Sequence, residues 1–414
     1  MRGFCDLSEA WAARLGRAIL EAYDRVIETA LKRSVDFVVM AGDMFDTSQA
    51  SYGEYLHFFE GLDALDAAGI PVYMVAGNHD PYTLWQRDLD KLPPSARMLG
   101  CDGPEFALYE RDGEPLCLIG ARGYRNQAWP IGDPIAAGIT RNAAVQELRA
   151  TCPQAQGAPF AVGVLHTGFN PDQSKAYSDP QVLAGVDVDY WACGHLHEKS
   201  SYPSESNPRI VFPGCIQGRD LKESGEKGCY LVSITESAEG GRPHVSLDFV
   251  PTASVSFRSI SLDVSACKTL SDIEHLAQAR MFRESAEASC DEMVTQVALT
   301  GVTDLHEYLM KQNVIADLRK RLNEAYPTFC CDVLENRTTP PRDREKIIDE
   351  NLFPAHVLRV AEEQADGSGA AIGYLQAEFV RLGIGLPDLV ESDVENMNSA
   401  AEALVLDLIE GECL

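Results

Sequence analysis

Four short apolar runs, each closed by a different polar motif rich in metal-ligating side chains, constrain this chain more than any other feature. Phe37-Val38-Val39-Met40 leads into Ala41-Gly42-Asp43-Met44-Phe45-Asp46, and Val72-Tyr73-Met74-Val75 ends in Gly77-Asn78-His79-Asp80. Residues 160–165 run into His166-Thr167-Gly168, and residues 188–193 into Gly194-His195-Leu196-His197. Short β-prone apolar runs bounded by glycine read as buried strands. Helical stretches separate them. Leu15, Ile19, Ala22, Val26 and Ala30 form one apolar stripe at three-to-four spacing, and a second helix covers residues 55–67. This order predicts an α/β fold whose ligand site gathers at the carboxyl ends of the strands.

Each motif alone is weak, since a Gly-Asp after a strand is most often a turn. Together, Asp43, Asn78, His166, His195 and His197 offer carboxylate, amide oxygen and imidazole. That mixed set suits manganese or iron with open coordination positions, whereas thiolates would close a structural zinc site. His57, His244, His275, His306 and His356 stand outside the motifs and read as packed or surface residues. Twelve cysteines without a CxxC array fit reduced core thiols. Nothing approaches the roughly 18 apolar residues of a membrane helix. The start MRGFCDLSEAW lacks a signal-peptide layout, so the expected location is the cytoplasm, with no membrane partner.

The GDMFD, GNHD and GHLH motifs with the strand-end His166, in this order, resemble the calcineurin-like metallophosphoesterases over residues 1–250. The expected fold is therefore a four-layer α/β/β/α sandwich. A narrower resemblance, to SbcD nucleases and their YhaO-like branch of DNA-repair exonucleases, rests on two stretches. One runs from Phe212-Pro213-Gly214-Cys215-Ile216-Gln217-Gly218-Arg219-Asp220 through Glu223 to Cys229, and the other is Thr303-Asp304-Leu305-His306. The resemblance implies two divalent metal ions, manganese foremost, bridged by Asp43. Asn78, His166 and His195 would hold one ion and His197 the other. Such a pair, about 3.5–4 Å apart, activates a hydroxide and stabilises the attacking and leaving oxygens of a phosphodiester. His79 would sit beside the scissile phosphate, with Asp80 or Asp46 orienting nearby groups. Asp46 could equally cap the next helix.

One departure stands out. The family opens with a strand ending in an Asp-x-His pair, and no such pair precedes Asp43. The expectation is that the sequence starts late and that an upstream strand carries the pair. Beyond residue 250 the pattern becomes strand, helix, strand, helix. Residues 257–264, 293–299 and 329–334 read as strands, and residues 273–281 and 305–325 as helices. This fits a small α/β capping domain over 251–337. Residues 338–414 read as an acidic helical region in which Val394, Met397, Ala401, Leu404 and Leu408 keep an apolar seam. The seam either packs on its own domain or docks a coiled-coil ATPase of the SbcC type.

Charge opposes DNA as a substrate. With 63 acidic and 35 basic residues the net charge is −28, which repels nucleic acid at long range. Arg122, Arg125, Lys199, Arg219, Lys222 and Lys227 lie in loops near the metal motifs and are the candidate phosphate contacts. The functions in competition are a manganese-dependent DNA exo- or endonuclease, a phosphoesterase for a small nucleotide or phosphorylated metabolite, and an impaired subunit of an ATPase–nuclease complex. A homodimer is compatible with each.

Overall fold

The computed structural model describes residues 9–46, 50–169, 175–237, 240–288, 290, 292–326, 328–342, 347–349, 352–365 and 405. Two compact units divide the chain. The first holds residues 1–260, 276–297 and 319–334, and the second 261–275, 298–318 and 335–414. The expected 251–337 region is thus shared between the units.

The first unit is built on two sheets. β1 (Val38–Ala41), β2 (Val72–Val75) and β3 (Ala96–Met98) form a parallel sheet in that order. The second sheet uses β4 (Glu105–Arg111), β5 (Glu114–Arg122), β6 (Phe160–His166), β7 (Tyr190–Gly194), β8 (Ser200–Ser204) and β9 (Asn207–Phe212). Its order is β4-β5-β6-β7-β9-β8, parallel from β5 through β9 and antiparallel at both edges.

Side chains alternate across each strand, so successive residues enter different cores. Tyr73 and Val75 of β2 meet Ile119, Val162, Val164 and Val211 in a core between the two sheets. Val72 and Met74 turn the other way, toward Ile27 and Ala30 of α1 (Glu9–Arg33) and Phe58, Leu62 and Leu65 of α2 (Tyr52–Ala67). On the far face of the second sheet, Leu118, Leu165, Trp191, Ile210 and Phe212 pack with Ala144 and Leu148 of α4 (Arg141–Leu148) and Leu183 of α5 (Pro180–Gly185). The short helix α3 (Tyr82–Trp85) follows β2. This is the four-layer α/β/β/α arrangement. Each fully buried large side chain contributes roughly 1.5–3 kcal/mol, so the alternation fixes strand register.

Helix α1 is buried on more than the one expected stripe. Leu15, Ala22 and Ala30 are buried, but Ala18 and Ile27 are too, while Ile19 and Val26 are half-exposed. The reason is a second partner: Leu15 and Ala18 pack with Val255, Phe257, Val294 and Cys330. Those residues belong to β12 (Val255–Asp263), β13 (Glu292–Val302) and β14 (Phe329–Thr339), a three-stranded sheet in that order. A hairpin of β10 (Gly228–Thr235) and β11 (His244–Pro251) precedes it.

In the region of β12 to β14, α6 (Leu270–Glu287) overruns its expected limits, and the expected helix at 305–325 is two, α7 (His306–Leu309) and α8 (Gln312–Ala325). Within the second unit, His306 is buried with Nδ1 3.0 Å from Thr338 Oγ1. A final described helix is Phe353–Ala365. Val394, Met397, Ala401, Leu404 and Leu408 lie outside the described residues. The ten cysteines among the described residues are free, and no described helix is long and apolar enough to cross a membrane.

Candidate metal centre

Strands of both sheets converge on one point. Asp43 follows β1, Asn78 follows β2, His166 ends β6 and His195 follows β7. Asp80 locks the first two loops together. Its Oδ1 accepts from the backbone N–H groups of Asp43 (2.9 Å) and Gly77 (2.8 Å), and its Oδ2 from those of Met44 (2.9 Å) and Phe45 (3.4 Å). Burial and the charge of Asp43 push the Asp80 carboxyl up to about 7, against the pull of those N–H groups. Asp43 (φ 56°) and His195 (φ 98°) both adopt positive φ without being glycine. Such backbone costs of order 1–3 kcal/mol and persists where the surroundings impose it, often at functional sites. Close approach is also enforced: a Cβ on Gly42 would lie 2.4 Å from His166 Nδ1, and one on Gly194 2.0 Å from Ala41 O.

The donor atoms fit a cation. Fully buried His166 donates Nδ1–H to Ala41 O at 2.8 Å, which leaves only a lone pair on Nε2 of the neutral ring. That lone pair faces Asn78 Oδ1 at 3.0 Å and Asp43 Oδ2 at 3.3 Å. Asn78 Oδ1 also meets His195 Nδ1 at 3.1 Å. Ligand atoms of Asp43, His166 and His195 lie within 4.8 Å of one another. Acceptors gathered this closely in a buried place repel one another unless a cation joins them.

Protonation suits that role. Burial, with the charge of Lys175, pushes His195 down to about 4, so its ring is neutral at pH 7.

His197, expected to share a second ion with Asp43, is not in the Asp43–His166–His195 group. Its side chain is 45% exposed, and its Nδ1 sits 2.6 Å from Glu223 Oε1. Burial of Glu223 favours the neutral acid. The His197 hydrogen bond, the Arg219 backbone N–H at 2.8 Å and the Arg219 charge outweigh it and hold the carboxyl down at about 2. The sequence reading did not single out Glu223 as a site residue. Its place in the 212–229 stretch was the one available signal.

The remaining candidates divide. His79 is exposed, and its backbone N–H donates to Asp43 Oδ1 at 2.8 Å. Asp46 is half-buried and does not cap α2, because Ser51 does so in a reciprocal box with Glu54. Two expected phosphate contacts are turned to partners within the fold. Lys227 is 4% exposed and its ammonium donates to His197 O at 2.9 Å. Arg122 grips both oxygens of Asp133 and lies 5.0 Å from the Trp129 ring, with its side chain 15% exposed. Arg125, Lys199, Arg219 and Lys222 are exposed, though Arg125 pairs with Asp102, Lys199 with Glu226 and Arg219 with Glu223.

Residues 16–199 match the calcineurin-like phosphoesterase family, and residues 257–339 match the middle domain of the metallophosphoesterase YhaO. The chain is 26% identical over 302 residues to the uncharacterized metallophosphoesterase YhaO of Bacillus subtilis, covering 71% of this chain and 68% of that one. It is 29% identical over 237 residues to the DNA double-strand break repair protein Mre11 of Thermoplasma acidophilum, covering 53% and 56%. Against the Mre11 protein of Haloferax volcanii the identity is 39% over 225 residues, covering 53% and 45%. The chain thus spans about half the length of these Mre11 relatives.

Proposed function

Because the chain carries a calcineurin-like metallophosphoesterase domain followed by a YhaO-type middle domain, we propose that it hydrolyses phosphodiesters with divalent metal, manganese foremost, and that its substrate is DNA. The observation that carries the reading is the convergence of Asp43, Asn78, His166 and His195 on one point, with carboxylate, amide oxygen and imidazole nitrogens within ligand reach of one another. A divalent cation bound there would supply positive charge for the phosphoryl oxygens and a water nucleophile at neutral pH. The protein's own contribution is positional. Asp80 holds the Asp43 and Asn78 loops in register, and Ala41 O fixes the His166 tautomer. His79, exposed beside Asp43 and outside the Asp43–His166–His195 group, is positioned to donate to a phosphate or protonate the departing alkoxide.

DNA as substrate is supported by the repair proteins named Mre11 among the relatives. An ATPase partner of the SbcC type belongs to the same proposal. A second reading, a small nucleotide or phosphorylated metabolite, is favoured by the basic residues themselves. Of the six candidate cations, Lys227 is buried and Arg122 is latched to Asp133, and the net charge is −28. The test pits linear duplex DNA against a chromogenic phosphodiester, each with manganese. Cleavage of both, abolished by His166→Ala, supports the DNA reading. Cleavage of the small diester alone moves the substrate to the second reading, and cleavage of neither rejects the enzyme.

A further inference from the structure

We propose that Glu223 is a positioning residue that holds the His197 ring with Nδ1 protonated and Nε2 bare, and so makes His197 a ligand for a divalent cation. The inference rests on the phosphoesterase reading of the centre, but not on DNA as its substrate.

The loop after β9 closes on His197 from two sides. From the first side, the His197 carbonyl accepts from the Cys215 backbone N–H at 3.3 Å and from the Lys227 ammonium at 2.9 Å. Both donors come from the 212–229 stretch, so the backbone of His197 is fixed by the loop. From the second side, Glu223 Oε1 lies 2.6 Å from His197 Nδ1. A carboxylate accepts only, so the proton of a neutral imidazole must sit on Nδ1 for this contact to be favourable. Nε2 is then a lone pair, the state in which a histidine binds a metal.

Glu223 is itself held. Its Oε2 accepts the Arg219 backbone N–H at 2.8 Å and lies 3.8 Å from Cys215 Sγ, while Oε1 is 3.4 Å from the Arg219 guanidinium. Its side chain is 8% exposed and that of His197 45%. A buried carboxylate with fixed partners thus grips an imidazole whose remaining part reaches solvent. A carboxylate on one ring nitrogen is the arrangement that orients metal-bound histidines and raises their basicity. His166 reaches the same state through the Ala41 carbonyl. The two histidines are therefore prepared alike by different groups. This also accounts for Arg219 and Lys227, whose partners are Glu223 and the His197 carbonyl.

The test reads the ring before it reads chemistry. In metal-free protein labelled with 15N-histidine, two-bond 1H–15N correlations report the tautomer of each of the nine histidines, and His197→Ala assigns the signal. The proposal expects an Nδ1–H tautomer for His197 in the wild type, and a shift toward Nε2–H in Glu223→Ala, with Glu223→Gln between them. Manganese titration of the same proteins should show one loss common to His197→Ala and Glu223→Ala. It should be on the order of 10- to 100-fold in affinity, with no further loss in the double variant. An Nε2–H tautomer in the wild type overturns the proposal without any variant having to fold. So does a Glu223→Gln or Glu223→Ala protein with the wild-type tautomer, or a His197→Ala protein with the wild-type manganese isotherm. Failure to cleave DNA touches none of these readouts.

Discussion

Gly77→Ala tests the construction of the centre without removing a ligand. A Cβ at this position would stand 2.1 Å from Asp43 Oδ1, 2.4 Å from Asp43 N and 2.8 Å from Asp43 Cγ. Backbone retreat is obstructed, because Asp80 binds the N–H groups of both Gly77 and Asp43 at 2.8 and 2.9 Å. Both the carboxylate and the Asp43 backbone N must therefore yield, by roughly 1 Å each, to regain ordinary van der Waals contact. Metal–ligand distances tolerate about 0.2 Å, so a shift of that size removes Asp43 from any cation that His166 and His195 hold. It also strains the His79 N–H bond to Oδ1, now 2.8 Å. Overpacking of this kind costs about 2 kcal/mol, a fall in Tm of roughly 4–8 °C for a unit of this size. Isothermal titration with manganese and thermal unfolding of the metal-free protein separate the two effects. The expected result is a folded protein, modestly destabilised, with manganese affinity reduced by at least about 10-fold. Gly16→Ala is the control: nothing lies within 4 Å of its Cβ inside α1, so stability should rise by roughly 0.5–1 kcal/mol with unchanged metal binding. A Gly77→Ala protein that binds manganese as tightly as the wild type refutes the steric reasoning.

His166→Ala and His195→Ala should each abolish high-affinity manganese binding, measured by titration, since each deletes an imidazole from the buried cluster. His79→Ala should keep the metal and lower turnover, because its side chain is exposed beside Asp43 and outside that cluster; loss of the metal would reverse that assignment. Glu223 is held at about 2 from an ordinary 4.5. Its ionised form thus stabilises the fold above pH 4.5, and that stability is lost as pH falls toward 2. Acid unfolding of Glu223→Gln should therefore show a smaller loss across this window than the wild type. Lys227→Ala should cost about 0.5–1.5 kcal/mol through one lost hydrogen bond, since the His197 carbonyl keeps the Cys215 N–H, yet leave the salt dependence of any DNA binding unchanged. The exposed Arg219 and Lys222 should each flatten that dependence by about one ion, with filter binding at several salt concentrations as the check.

Strand alternation made much of the fold legible. The four residues 72–75 are all apolar, and the structure buries all four, sending them alternately to the helices and to the facing sheet. Helix α1 was harder to read, because a stripe at three-to-four spacing reports one buried face and α1 has partners on two. The break at residues 310–311 was invisible because no proline or glycine marks it. At the site, the ligand-bearing motifs are local in sequence and stand out by residue type. Glu223, 26 positions from His197, carries no such mark, and only the fold brings its carboxylate to the ring. The orientation of the basic residues was hidden for a related reason. Sequence cannot tell a cation facing solvent from one turned inward, as Lys227 is toward the His197 carbonyl.

We propose Asp43, Asn78, His166 and His195 as one cation site where strands of two sheets converge. The most direct measurement is anomalous scattering from crystals of the chain grown or soaked with manganese. A peak is expected within about 2.0–2.4 Å of an Asp43 carboxylate oxygen, Asn78 Oδ1, His166 Nε2 and a His195 ring nitrogen. That peak should vanish in His166→Ala crystals. A manganese peak elsewhere with these four residues unliganded, or a peak that survives His166→Ala unchanged, would contradict it.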